Sequence, residues 1–154
     1  NKYINLVVCQ TFSKAQGMAG ARLGMAFANP ELIRFFNSLK APYNLNSLTI
    51  NLALERLESQ EKVNEQVEIM LNERKRLEVA FSEISFIKTI FTSDANFILV
   101  RFDDCKIRYQ QLLDQGIVVR NSSKNRACEN TLRISVGTQK ENNSLINALR
   151  NLDK

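Results

Sequence analysis

The chain has 154 residues, 44% of them apolar, and a formal net charge of +5 from 21 basic and 16 acidic side chains. It has no histidine, which excludes serine–histidine and cysteine–histidine catalysis and every histidine-bearing metal site. Its three scattered cysteines form no C-x-x-C pair, which argues against zinc and against a disulfide framework and fits a reducing cytoplasm. No apolar run approaches the ~20 residues of a membrane span. The positive charge is spread along the chain without a recognition motif, so it reads as solvated surface rather than a nucleic-acid footprint. The chain opens on Asn1 and not on methionine, and is read as a segment of a longer protein.

Residues 4–9 (INLVVC) are a short, β-branched apolar run, the pattern of a strand buried on both faces. Polar residues 10–13 lead into a glycine-rich stretch, and residues 22–28 read as a second strand. Asn29-Pro30-Glu31 combines a cap, a proline at the first helical position and an acid near the positive helix end. That helix is predicted to reach about Leu39 and to stop before Pro42. Residues 47–84 contain no glycine or proline, and Val63, Val67, Met70, Leu77, Phe81 and Ile84 form an apolar stripe broken at Arg74. Glu73, Arg74, Lys75, Arg76 and Glu78 read as a solvated face, and an interruption near Ser59 predicts a helical pair or one long kinked helix.

The period then changes. Residues 86–91 and 96–102 read as strands about a Thr92-Ser93-Asp94 turn, and residues 107–115 as a helix that Gly116 ends. Residues 117–120 and 131–136 read as two more strands, and residues 142–152 as a closing helix. The order β-β-α-β-β-α describes a small α/β sandwich.

The stretch TFSKAQGMAGARLG, residues 11–24, holds three of the five glycines. Lys14 precedes them, so this is not a phosphate loop of the Walker type, and G-x-G-x-x-G is also absent. What remains is a lysine at a strand end beside the hydroxyls of Thr11 and Ser13 and the guanidinium of Arg22. Glycines admit a flat ligand close to the backbone. Hydroxyls with an arginine fork suit a phosphate dianion, and a lysine amine can form a Schiff base with an aldehyde. Pyridoxal 5′-phosphate is the common molecule that joins both features. The spacing alone is equally compatible with a glycine-rich turn bearing a surface lysine.

The pattern S-K-A-x-G-M-A-G-x-R-L-G resembles the lysine motif of the fold-type I aminotransferases of classes I and II. FANPELI, APYNLNSL, ANFILVRF, GIVVRN and LRISVGT follow in order, and are similar to the histidinol-phosphate branch of that family. The resemblance extends from Thr11 to about Leu149. It implies that Lys14 holds pyridoxal phosphate and shuttles the substrate α-proton, while Thr11, Ser13 and Arg22 bind the cofactor phosphate. Arg133, and with it Arg120, would hold the anionic group of the substrate. The implied reaction is ping-pong transamination of histidinol phosphate with 2-oxoglutarate, in a cytoplasmic homodimer serving histidine biosynthesis.

The implied organisation is the end of a large cofactor domain (1–43), a connecting helical region (44–84) and a small C-terminal α/β domain (85–154). In the family, the aspartate at the pyridine nitrogen, the stacking aromatic and the asparagine at the phenolic oxygen lie upstream of the lysine, so the segment is expected to be inactive alone. The loop at residues 121–130 is polar where the family carries Leu, Pro or Gly, and Arg126 within it reads as solvated. Threonine-phosphate decarboxylase or another class I/II aminotransferase shares the motif. A non-catalytic α/β interaction module is the alternative from another class.

Overall fold

A computed structural model describes residues 3–154. The chain divides into two compact units, residues 1–65 and 66–154. Among the described residues no helix is long and apolar enough to cross a membrane.

In the first unit, β1 (Val8–Thr11) and β2 (Gly24–Phe27) form an antiparallel ribbon in the register Val8↔Phe27 to Thr11↔Gly24. The run at residues 4–9 is therefore not the buried strand its composition suggests. The strand starts only at Val8, and both strands are exposed throughout. Its one sheet partner among the described residues runs antiparallel, so the all-parallel, doubly covered setting that such a run suits is absent here.

Helix α1 (Pro30–Leu39) starts as predicted, with Asn29 Oδ1 accepting the Glu31 N–H at 2.9 Å, and it ends at Leu39, before Pro42. Helix α2 (Ser47–Glu58) is capped by Asn46, whose side chain accepts the Thr49 N–H at 2.8 Å. Ser59 ends α2, and α3 (Gln60–Ser82) follows at once, so the helical region is a pair. The buried cluster of this unit is small: Phe12, Met18 and Ala53, with Ala21 and Leu23 against them.

The second unit is built on a four-stranded antiparallel sheet in the order β3-β4-β6-β5, from β3 (Ile87–Ile90), β4 (Phe97–Phe102), β5 (Arg120–Asn121) and β6 (Thr131–Ser135). Alternation along β4 and β6 sends Ile98, Val100, Phe102, Leu132 and Ile134 into the core. There they meet Leu77 and Phe81 of α3, Leu112 of α4 (Cys105–Asp114), and Leu145 and Leu149 of α5 (Gln139–Leu152). The alternate residues Phe97, Leu99, Arg101 and Arg133 belong to the opposite face.

Three readings change here. Of the expected strand at 117–120 only Arg120 pairs, and Asn121 beyond it completes β5. Continuing its register would set Val118 and Ile117 against Ser135 and Val136, where the chain leaves the sheet for the Gly137 turn. Helix α4 starts two residues early because the Asp104 carboxylate accepts the N–H groups of Lys106 and Ile107 at 2.9 and 3.1 Å. Helix α5 starts three residues early on a capping box, with Thr138 and Glu141 each bonded to the other's backbone N–H.

The charged stretch of α3 is not merely solvated. Glu73, only 12% exposed, accepts from Arg76 at 2.6 and 3.0 Å and from Asn142 at 2.7 Å. Those bonds, Arg76 first and Asn142 next, hold its carboxyl below the usual glutamate range. Asn142, 2% exposed, also accepts the Gly137 N–H and donates to the Gly137 carbonyl, both at 3.0 Å. It thereby fastens the turn after β6 to α3.

Candidate functional site

The lysine motif folds as a closed loop beyond the end of the ribbon. The Phe12 carbonyl accepts the Met18 N–H at 2.9 Å, and both side chains are buried beneath the loop. Within it the Lys14 carbonyl accepts the Gly17 N–H at 2.9 Å, in a turn that Gly17 completes at φ +68°. Lys14 is exposed on this turn. Arg56 of α2 donates its Nε–H to the Gln16 carbonyl at 2.9 Å and braces the loop from the helix side.

Beside it, the Thr11 hydroxyl lies 2.9 Å from that of Ser13 and accepts the Ser13 N–H at 3.1 Å. The Phe12 N–H donates to the Leu23 carbonyl at 3.1 Å, which puts Arg22 at the same end of the ribbon as the two hydroxyls. Arg22 stands in the left-handed region at φ 53° and donates to the Ala19 carbonyl at 3.0 Å. A Cβ on Gly24, the partner of Thr11, would come within 3.1 Å of the Gln10 carbonyl, so a side chain there would have to push the ribbon apart by a few tenths of an ångström. Thr11, Ser13, Lys14 and Arg22 thus share one locality. Two hydroxyls, an arginine and a lysine fit the phosphate and the aldehyde of pyridoxal phosphate.

In the second unit, Arg120 and Arg133 are direct partners across β5 and β6. Directly opposed residues have Cβ atoms about 4.5–5.5 Å apart, and like charges placed so are destabilising. The Arg133 guanidinium lies over the Phe97 ring at 4.8 Å from its centroid. Its Nε–H is shielded from solvent and meets no acceptor among the described residues. Arg120 is exposed. A shielded donor without an acceptor, on a residue whose directly opposed partner in the register is a second arginine, is the electrostatic complement of an anion.

The loop that joins these arginines is a succession of turns, with Ala127 and Asn130 at φ 60° and 56°. Arg126 is exposed. Three side chains that shape these localities have no sequence signal of their own: Arg56, Arg101 and Asn142 act through partners 40, 28 and 69 residues away.

The chain belongs to the aminotransferases of classes I and II, whose family model matches residues 1–149. It is 50% identical over 148 residues to a histidinol-phosphate aminotransferase of Parabacteroides distasonis, covering 96% of this chain and 43% of that protein. It is 46% identical over 150 residues to one of Flavobacterium psychrophilum, covering 97% and 43%. The crystal structure of the histidinol-phosphate aminotransferase from Clostridium acetobutylicum superposes with a TM-score of 0.91 at 26% identity, over 99% of this chain and 47% of that one. The chain therefore spans about 43% of the length of these curated relatives.

Proposed function

We propose that the chain is part of a pyridoxal-phosphate-dependent aminotransferase that moves the amino group of L-histidinol phosphate to 2-oxoglutarate. In this reading residues 1–43 end a large cofactor domain, residues 44–84 connect, and residues 85–154 form a small domain. The whole enzyme is a cytoplasmic homodimer. The observation that carries the substrate reading is the opposed pair Arg120 and Arg133, with the shielded Nε–H of Arg133. Two arginines at directly opposed positions of the sheet match a phosphate dianion better than a neutral or cationic side chain.

Thr11, Ser13 and Arg22 hold the cofactor phosphate, and the turn opened by Lys14 presents its amine. Pyridoxal phosphate, when bound, supplies a sink for the electron pair left on the substrate Cα. Nζ of Lys14, as the neutral amine, takes the proton from that Cα and holds it for return. Arg133 and Arg120 orient the substrate so that its Cα–H meets Nζ.

The test is turnover by the full-length protein. Histidinol phosphate with 2-oxoglutarate should yield glutamate, and Lys14→Ala should abolish the yield while cofactor still binds non-covalently. Carbon dioxide release from threonine phosphate without glutamate would replace this reading with a decarboxylase. Borohydride trapping of the cofactor on another lysine would remove Lys14 from its role.

A further inference from the structure

Arg120 sits on a strand of two residues, the shortest in the sheet, and pairing with β6 is what sets its place opposite Arg133. Its position therefore depends on the loop that follows. That loop is wired by successive turns: Asn125 N–H to the Ser122 carbonyl (3.0 Å), Cys128 to Asn125 (3.1 Å) and Thr131 to Cys128 (3.2 Å). Two of its residues, Ala127 and Asn130, hold positive φ without being glycine; asparagine takes that conformation readily, but an alanine there needs outside support.

The support comes from β4. Arg101 faces Thr131 in the register, and its guanidinium crosses to the loop. Nε–H donates to the Glu129 carbonyl at 3.0 Å and Nη2 to the Ala127 carbonyl at 3.2 Å. The same guanidinium lies over the Phe91 ring at 5.2 Å, which holds the fork from the β3 side. The Glu129 carboxylate is 4.0 Å from Nη2 but 76% exposed, so the two carbonyl bonds, rather than this ion pair, hold the loop.

We propose that Arg101 is a positioning residue for substrate binding: by clamping the carbonyls of Ala127 and Glu129 it holds the β5–β6 loop, and through the loop it keeps Arg120 aligned with Arg133. This rests on the reading that the arginine pair takes the phosphate of the substrate. Arg101 spends two donors on the backbone and is not itself a ligand. Arg101 meets the two carbonyls with two different nitrogens of one planar group, whereas a lysine would have to serve both from a single nitrogen, so charge alone does not reproduce the clamp.

The test uses the full 154-residue chain, Arg101→Met and Arg101→Lys, with inorganic phosphate as the probe. Nitrogen-15 NMR follows the arginine Nε–H signals and the exchange of the loop amides. In the native chain phosphate should move the Arg120 and Arg133 signals together and leave that of Arg101 in place. Both variants should speed amide exchange at residues 122–130, shift the Arg120 signal before any anion is added, and weaken phosphate binding about tenfold.

Affinity within twofold of native in R101M, or rescue by R101K, would overturn the proposal, as would a phosphate response at Arg101 itself. If phosphate moves neither Arg120 nor Arg133 in the native chain, the anion reading fails. The clamp is then judged on its own: an unchanged Arg120 signal and unchanged loop exchange in R101M overturn it, and changes in both support it. Core amides of β4 and β6 report whether each variant is folded, and R101K carries the comparison should R101M unfold.

Discussion

Arg22 and Arg133 carry the same charge in different company. Arg22 is at the ribbon end beside Thr11 and Ser13, and Arg133 lies over Phe97 opposite Arg120. Their loss should therefore be felt by different ligands in the full-length enzyme. A charge-assisted bond of this kind is worth roughly 1.5–3 kcal/mol, about ten- to a hundredfold in affinity. Arg133→Ala should raise KM for the phosphorylated substrate or lower kcat at near-normal cofactor affinity, and Arg22→Ala should do the reverse. Fluorescence titration of cofactor beside steady-state kinetics separates the two, and equal shifts in cofactor affinity would show the roles to be misassigned. At this scale the sequence is legible where chemistry is local. Thr11, Ser13, Lys14 and Arg22 lie within twelve consecutive positions, so the combination that suits a phosphate and a carbonyl can be read off the chain. Spacing alone leaves a glycine-rich turn with a surface lysine equally open. Arg56 and Arg101, and Asn142 in its bond to Glu73, are silent because these partners are backbone groups or a carboxylate brought near only by tertiary folding.

The elements repeat that division between local and distant causes. Asn29 with Pro30 marks the start of α1, and Gly116, at φ +75°, marks the end of α4. The capping box Thr138-x-x-Glu141 was equally readable, yet the apolar stripe alone puts the start of α5 at Asn142. Strand β5 is shorter than its apolar run because its length is set by where β6 leaves the sheet, which no local pattern encodes.

The entry to α4 is held by an ion pair with a measurable pH signature. Arg108 donates to both oxygens of Asp103 at 3.0 and 2.7 Å and lies over the Phe86 ring at 3.9 Å. Hydrogen bonding from Arg108 is the main cause that lowers the Asp103 carboxyl from 3.8 to about 2. A depressed carboxyl contributes stability that is full above its ordinary value and is lost as pH falls through the lowered one. The window is therefore from about 4 down to 2. With Asp103 36% exposed, the pair contributes on the order of 1 kcal/mol or less. Asp103→Asn should lower the unfolding free energy measured in urea at neutral pH by that amount and flatten its decline across this window. A parallel decline in native and variant proteins would exclude this pair as its source.

The two units differ in how much of their apolar surface they enclose. The second gathers sixteen buried residues, from Leu77 to Leu149, in one cluster, whereas three form that of the first. In the first unit Phe35, Leu39 and Leu48 are 66, 82 and 80% exposed. Local opening takes least free energy where few apolar contacts must break. Amide hydrogen exchange on this chain should therefore show β4 and β6 protected well beyond β1 and β2, and equal protection would contradict the comparison. The small α/β sandwich was legible as a whole because its periods are clean and its partners lie within one stretch of chain. The first unit was less so, since the composition of residues 4–9 describes a covered strand and the strand observed is open.

The opposed arginines give the second unit an unusual relation to its solvent. Two like charges at directly opposed positions of a sheet are unfavourable, so an anion bound by both Arg120 and Arg133 would offset that cost in the folded state. Anything that binds only the folded state stabilises it by RT ln(1 + [L]/Kd), about 2.7 kcal/mol at a hundredfold excess over Kd. At equal ionic strength, phosphate should therefore raise the melting temperature of the second unit more than chloride does, and Arg133→Ala should erase the difference. Identical melting curves in the two salts would mean that the pair takes up no phosphate. Should the phosphate shift be found, the choice of buffer becomes a thermodynamic variable of this protein, and a stability measured in phosphate would already contain a ligand.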